Sequence, residues 1–446
     1  MRIVKYIFVT CFLLFFGLWW MMIYEIYLKK DSNPKIKLGI DVLQERGFDI
    51  VKGKRIGILT DQAGVSANGI LTWQILKETN VVQLKAIFAP VHGLEGKYMS
   101  LETFYDDEID NIPIYSVFAS NSRPKDEWLR DLDMVLVDLQ GLGIRYYNYW
   151  AFMLYMMGAC FKNGIDIVVL DRPNPLGGHY VGGPSMDPEN ISIWGPIAGM
   201  PLFHGMTIGE LARYCKSFSE GIQVNDLVES GVLHPGIFIP PEILSKGNLT
   251  VIPMQGWRRN MQWEDTGLKW TETSPNIANL QSAYEYAFMS LGIFASVNYG
   301  FDNCNFIKME PQWIEKLPFH SFTSKYIVAH KIIQYVKESL QESFRGFSLS
   351  VNSKNRNLID VNIEDIRKTV PGVFGLVLLA LSQEYAHFYV MGSDNHQFLG
   401  THFGDGELLN LLAGNQKRID IKYFIDKWKE DARRFVERTQ NFYLYD

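Results

Sequence analysis

Two aspartates and two arginines carry the clearest chemical signal in the chain. Asp138 closes the apolar run Met134–Val137, and Asp171 closes the run Ile165–Leu170. Continuous apolar runs of this length, bounded by polar turns, read as strands buried on both faces of a parallel sheet. Arg145 and Arg172 follow in the connecting segments. Open α/β sheets take their ligands outside the carboxyl ends of such strands. The four residues therefore locate a polar cleft, where carboxylates could move protons and guanidinium groups could hold an anionic ligand. Either aspartate alone also fits a capping role at the start of the next segment. Beyond Asp171, Arg172-Pro-Asn174-Pro-Leu-Gly-Gly178 excludes regular structure, because the prolines lack donors and the glycines permit close backbone approach.

Three further stretches could serve the same cleft. The loop Ala89-Pro-Val-His-Gly-Leu-Glu-Gly96 sets His92 and Glu95 between a strand end and glycines, where function concentrates; a lone histidine also serves as a hydrogen-bonded structural residue. Thr207 followed by Glu210 forms a capping box, which places His204 just ahead of a helix N-terminus favourable to an anion. Trp257, Arg258, Arg259, Trp263 and Trp270 crowd into loop-like sequence and suggest a groove wall. That composition fits a carbohydrate carrying a carboxylate or N-acyl groups. Neither GxGxxG nor GxxxxGK[ST] occurs, so no nucleotide cofactor is expected. Cys11, Cys160, Cys215 and Cys304 are scattered without CxxC, and no HxH or HxxxH pair occurs, so free thiols and no metal are expected.

The elements that position these residues alternate. Leu38–Phe48 reads as a short helix, Lys54–Thr60 as a strand, 69–78 as helical, and Leu84–Phe88 and Ile112–Phe118 as strands. Trp150–Asn163 is a strongly apolar helix ending at Asn163-Gly164, and Leu249–Pro253 is another strand. This order predicts an α/β fold built on βαβ units. From about residue 305 the texture changes to a less regular α/β tail: helical 326–343, the strand Phe347–Val351, helical 372–385 and an amphipathic helix over 422–438. At 446 residues, two domains are expected. An apolar content of 47% with 21% charged residues describes a folded chain, and a net charge of −6 gives no sign of a nucleic-acid partner.

The N-terminus carries its own signal. Residues 6–24 are apolar apart from Thr10, long enough to cross a hydrocarbon core of roughly 30 Å. The run ends in Trp19, Trp20, Met21 and Met22, a poor cleavage site, so an uncleaved single-pass anchor is expected. The expected organisation is an anchor over 1–30, a tether over 31–36, a larger domain over 37–300 and a smaller one over 301–446. Flanking lysines and arginines leave the anchor's orientation open.

Taken in order, the motifs resemble the exo-β-N-acetylmuramidase family of peptidoglycan-recycling glycoside hydrolases, of which this chain looks like a divergent member. The matching stretches are LGIDVL, KGKRIGILTDQAGV at 52–65, IPIYSVF, DLQGLGIRYYNY at 138–149, VVLDRPNPLGG at 168–178, HGMTIGELA at 204–212, GWRRNM at 256–261, TGLKW and SPN. The resemblance implies a Rossmann-like larger domain, a smaller C-terminal domain and a cleft between them. It also implies a peptidoglycan-derived sugar or muropeptide as ligand, and a globular part outside the cytoplasm, in the periplasm. It makes Gln140, Tyr147 and Asn276 part of the sugar-binding set, together with His92, Arg145, Arg172, Asn174, His204, Trp257 and Arg258.

The departures bear on chemistry. The family's GPEHG loop has become Ala89-Pro-Val-His-Gly93, with Val91 where one catalytic glutamate stands; Gly158 stands where the other belongs. Glycosidases need two carboxyls, about 5 Å apart when retaining and roughly 6.5–9.5 Å when inverting. Two expectations follow. In one, Asp138, Asp171 or Glu95 takes over the acid–base work. In the other, the protein binds cell-wall fragments or a partner protein in the cleft without cleaving them.

Overall fold

The computed structural model describes residues 35–98, 104–117, 123–192, 195–217, 243, 246–294, 308–309, 321–324, 327–341, 345–386, 399–413 and 418–446. The apolar run 6–24, Cys11, Cys304 and the expected boundary near residue 300 lie outside them. Among the described residues no helix is long and apolar enough to cross a membrane.

A seven-stranded sheet organises the N-terminal two-thirds of the chain. Its strands are β1 (Arg55–Thr60), β2 (Gln83–Ala89), β3 (Asp107–Ile109), β4 (Ile112–Ser116), β5 (Met134–Asp138), β6 (Asp166–Leu170) and β9 (Leu249–Ile252), in the spatial order β3-β4-β2-β1-β5-β6-β9. Only the edge strand β3 runs antiparallel to its neighbour. Numbered in chain order, the six parallel strands lie 3-2-1-4-5-6, the doubly wound Rossmann arrangement. The order in which the chain adds strands reverses between β1 and β5, so a crevice opens at their carboxyl ends.

The apolar runs of β5 and β6 are buried along almost their whole length, as strands covered on both faces must be. One cover is the helix Tyr149–Lys162. Twelve of its fourteen residues are buried, which explains why it lacks a polar stripe. It belongs to an apolar cluster that continues through Phe403, Phe424 and Trp428, so the C-terminal helices share a core with the sheet. The thiols Cys160 and Cys215 are free and buried there.

A hairpin of β7 (Gly182–Ser185) and β8 (Pro201–Phe203) leads to the helix Ile208–Ser217. The four strands β10 (Lys308–Met309), β11 (Ser321–Thr323), β12 (Phe347–Val351) and β13 (Leu358–Ile363) form a separate antiparallel sheet in the order β10-β11-β13-β12. The helices Ala329–Leu340 and Val373–Ala386 pack against it around Phe322, Phe347 and Phe374.

Candidate functional site

The crevice between β1 and β5 is built from register. Thr60 pairs with Asp138, and its hydroxyl donates to the Asp138 carbonyl at 3.0 Å. Beyond that pair the two strands release Asp61-Gln62 and Leu139-Gln140. The Asp138 carboxylate is buried and receives the Arg172 guanidinium through Nε and through Nη2 at 2.9 Å, and the Thr72 hydroxyl at 2.5 Å. Arg172 Nη2 also donates to the Val65 carbonyl at 2.5 Å. This buried, bidentate pair orients the loops that follow β1 and β6. Asp171 accepts four hydrogen bonds: from Arg172 N (3.0 Å), Gly209 N (2.8 Å), the Thr207 hydroxyl (2.8 Å) and the Tyr445 hydroxyl (2.6 Å). Burial, with the nearby Glu210 charge, pushes its carboxyl up to about 7 against the pull of those donors. Both strand-end aspartates, expected as acid–base candidates, are therefore engaged in holding loops together.

Several other expected ligand residues are also committed elsewhere. Arg145, expected to grip the sugar, is fully buried and donates to the carbonyls of Pro184, Met200, His402 and Phe403 at 2.7–3.0 Å. Tyr147 donates to the Thr273 carbonyl at 2.9 Å. Asn174 accepts from Leu176 N and donates to the Met206 carbonyl, closing its own loop. His204 accepts from Met206 N, so its proton sits on the other ring nitrogen. Burial and then the Arg145 and Arg259 charges depress it to about 3. Asn174 and His204 border a void of only about 20 Å³, space for about one water. Trp257 is buried against Tyr445, with ring centroids 4.9 Å apart, and Arg258 points into solvent. Its neighbour Arg259 carries the interaction instead, its Nη1 donating to both carboxylate oxygens of buried Glu210 at 2.7 and 2.9 Å while Nη2 donates to the Gly178 and Gly205 carbonyls. Glu95 is exposed and paired with Lys97. His92 is buried, with Nδ1 donating to the Tyr98 carbonyl at 2.7 Å; burial lowers its pKa. Asn276 is half-buried.

A sugar-sized space does open at the crevice. A cavity of about 250 Å³ is lined by the turn after β1 (Ala63, Val65–Gly69), by Gln140 and Arg172, and by Trp263 and Gly267–Lys269. The turn can lie this close because Gly64 has no Cβ; one there would meet the Asp138 carbonyl at 3.1 Å, besides overlapping the Thr60 hydroxyl. Trp263 packs edge-on against Trp270 at 4.8 Å and forms a wall, as the tryptophan-rich stretch implied. Beside the cavity lies Asp61, fully buried. One carboxyl oxygen accepts from Ala63 N at 2.9 Å, and Oδ2 has no well-directed hydrogen bond. Burial pushes this carboxyl up to about 6, although the neighbouring Tyr149 hydroxyl favours its ionised form. Asp61 and Lys269 were absent from the sequence-derived site. The strand-end rule that selected Asp138 and Asp171 also points to Asp61, one residue past β1.

The family model described as Exo-beta-N-acetylmuramidase NamZ, N-terminal, matches residues 56–281, which span β1 to β9 and the cavity. The chain belongs to this family. The Peptidoglycan beta-N-acetylmuramidase NamZ of Bacillus subtilis (strain 168) is 36% identical over 258 residues, which cover 57% of this chain and 56% of that protein. A crystal structure of a DUF1343 family protein from Bacteroides fragilis NCTC 9343 superposes with a TM-score of 0.74 at 26% identity, covering 92% of this chain and 99% of that one. A second DUF1343 protein from the same organism, 22% identical with a TM-score of 0.62, shares the fold over the same proportions. Within this NamZ-type fold, Val91 is buried in the main apolar cluster beside the end of β2, and Gly158 is buried in the helix Tyr149–Lys162. Neither side chain can transfer a proton. The β1–β2 pairing is last registered with Leu59 opposite Phe88, so Asp61 and Val91 both follow the carboxyl ends of neighbouring strands.

Proposed function

We propose that this protein takes the terminal N-acetylmuramic acid of a peptidoglycan fragment into the β1–β5 cavity and, like an exo-β-N-acetylmuramidase, releases it. The observation that carries this reading is the cavity itself. It sits at the switch point of the sheet and is walled by loops of the family-matched region. Its volume of about 250 Å³ lies just below the usual range of ligand sites, roughly 300–1,000 Å³, which suits one sugar unit better than an extended chain. The apolar run 6–24 would tether this site to a membrane, with the globular part facing the cell wall outside the cytoplasm. The two-domain division near residue 300 belongs to the same proposal, the antiparallel sheet forming the smaller unit.

Val91 and Gly158 favour a second reading, in which the cavity binds the fragment without cleaving it. General acid–base help is worth on the order of 10²–10⁴-fold per group, so two vacated positions would reduce turnover severely. Incubation with a chromogenic β-N-acetylmuramide and with the natural disaccharide, followed by assay of released sugar, separates the two. Turnover that is lost in Asp61→Asn supports cleavage. Saturable binding of N-acetylmuramic acid in calorimetry without turnover supports the binding reading. Absence of both rejects the muramic-acid site.

A further inference from the structure

The cavity has an uneven charge. Lys269 stands exposed at its rim without a described ion pair, and Arg172 forms part of its floor. The Asp138 and Val65 bonds occupy Nε and Nη2 of Arg172 and leave Nη1 without a described partner. No aspartate or glutamate lines the cavity among the described residues. Gln140 adds a second demand. Its Nε2 donates to the Gly141 and Pro173 carbonyls at 2.8 and 2.9 Å, which fixes the amide orientation and leaves Oε1 buried with no donor. A buried acceptor of this kind calls for an N–H or O–H from whatever fills the space.

We propose that Lys269 and the free edge of Arg172 form a carboxylate-recognition subsite that makes this cavity selective for an acidic amino sugar. The ligand class is a 2-acetamido sugar with a carboxylate on an ether arm. The carboxylate lies between the ammonium and Nη1, an amide or hydroxyl hydrogen meets Gln140 Oε1, and the Trp263 indole faces the ring. Arg172 is held in place by Asp138 and supplies direction; Lys269 is exposed and supplies charge at the entrance. The assignment rests on the muramic-acid reading above and deepens it, because it names the groups that separate the acidic sugar from its neutral counterpart.

Calorimetric titration of the full-length protein with N-acetylmuramic acid, its methyl ester and N-acetylglucosamine tests it. The acid is expected to bind about tenfold more tightly than the ester, the difference of one good charge-assisted contact. That preference shrinks as salt rises, falls to within about twofold in Lys269→Gln and returns in Lys269→Arg. Lys269 is exposed, so these variants fold as the parent does. A Lys269→Gln variant that keeps the full preference overturns the assignment. Equal binding of acid and ester by the parent also overturns it while leaving the sugar site standing. If none of the three sugars binds, the proposed function fails and the subsite fails with it.

Discussion

At the scale of single residues, the site shows how much of a carboxylate's character its partners decide. Asp138, Asp171 and Asp61 all stand at or just past strand ends, yet only Asp61 keeps an oxygen without a directed donor. Its pKa of about 6, against about 3.9 in an unfolded chain, means that the folded protein still holds a proton the unfolded chain has lost between those values. Stability contributed by this group is therefore full near pH 4 and declines as pH rises to about 6. Asp61→Asn keeps an acceptor for Ala63 N and removes the titration. Urea unfolding is expected to find the variant level with the parent at pH 4 and more stable, by on the order of 2–3 kcal/mol, at pH 7.5. A constant difference between the two proteins across that range would remove Asp61 as the titrating group. Sequence position revealed Asp138 and Asp171, because a buried run followed by Asp is a local pattern. It could not reveal their partners: Tyr445, which caps Asp171, lies 274 residues away.

At the scale of elements, period and capping chemistry were enough to locate nearly every strand and helix around the cavity. Thr207 N donates to Glu210 and Glu210 N to the Thr207 hydroxyl, at 3.0 and 3.2 Å, closing the capping box read from the sequence. Which of two adjacent arginines serves that helix was not legible, since Arg258 and Arg259 are identical in type and differ only in the direction the turn aims them. Glu210 is wholly buried and depends on Arg259, whose guanidinium also stacks over the Tyr443 ring at 3.7 Å. Arg259→Ala leaves that carboxylate buried and unpaired, and is expected to cost about 3–5 kcal/mol in denaturant unfolding. Arg258→Ala, on an exposed side chain, is expected to stay within about 0.5 kcal/mol of the parent. Comparable losses from both would show that the ion pair does not stabilise the helix.

At the scale of the whole molecule, two long-range devices join the C-terminal portion to the parallel sheet. Arg145, just after β5, ties the β7–β8 hairpin carbonyls to those of His402 and Phe403. The closing segment after the helix Ile421–Thr439 returns to the sheet. There Leu444 N donates to Glu210 at 2.9 Å, Arg259 N donates to the Asp446 carbonyl at 2.8 Å, and the Tyr445 hydroxyl bridges Met254 N and Asp171. A change of texture near residue 305 is visible in the sequence, but these ties are not, because each joins groups with no periodic relation. They also change what the texture break means physically. Two units that share buried hydrogen bonds and one apolar cluster should not melt independently. Calorimetry is expected to give one transition with equal calorimetric and van't Hoff enthalpies. Tyr445→Phe, which strips the bridging hydroxyl from Asp171 and Met254, should lower that single transition by about 1–3 kcal/mol of stability without splitting it. Two resolved transitions in the parent protein would show that the C-terminal strap is a surface contact and that the sheet carrying the cavity folds on its own.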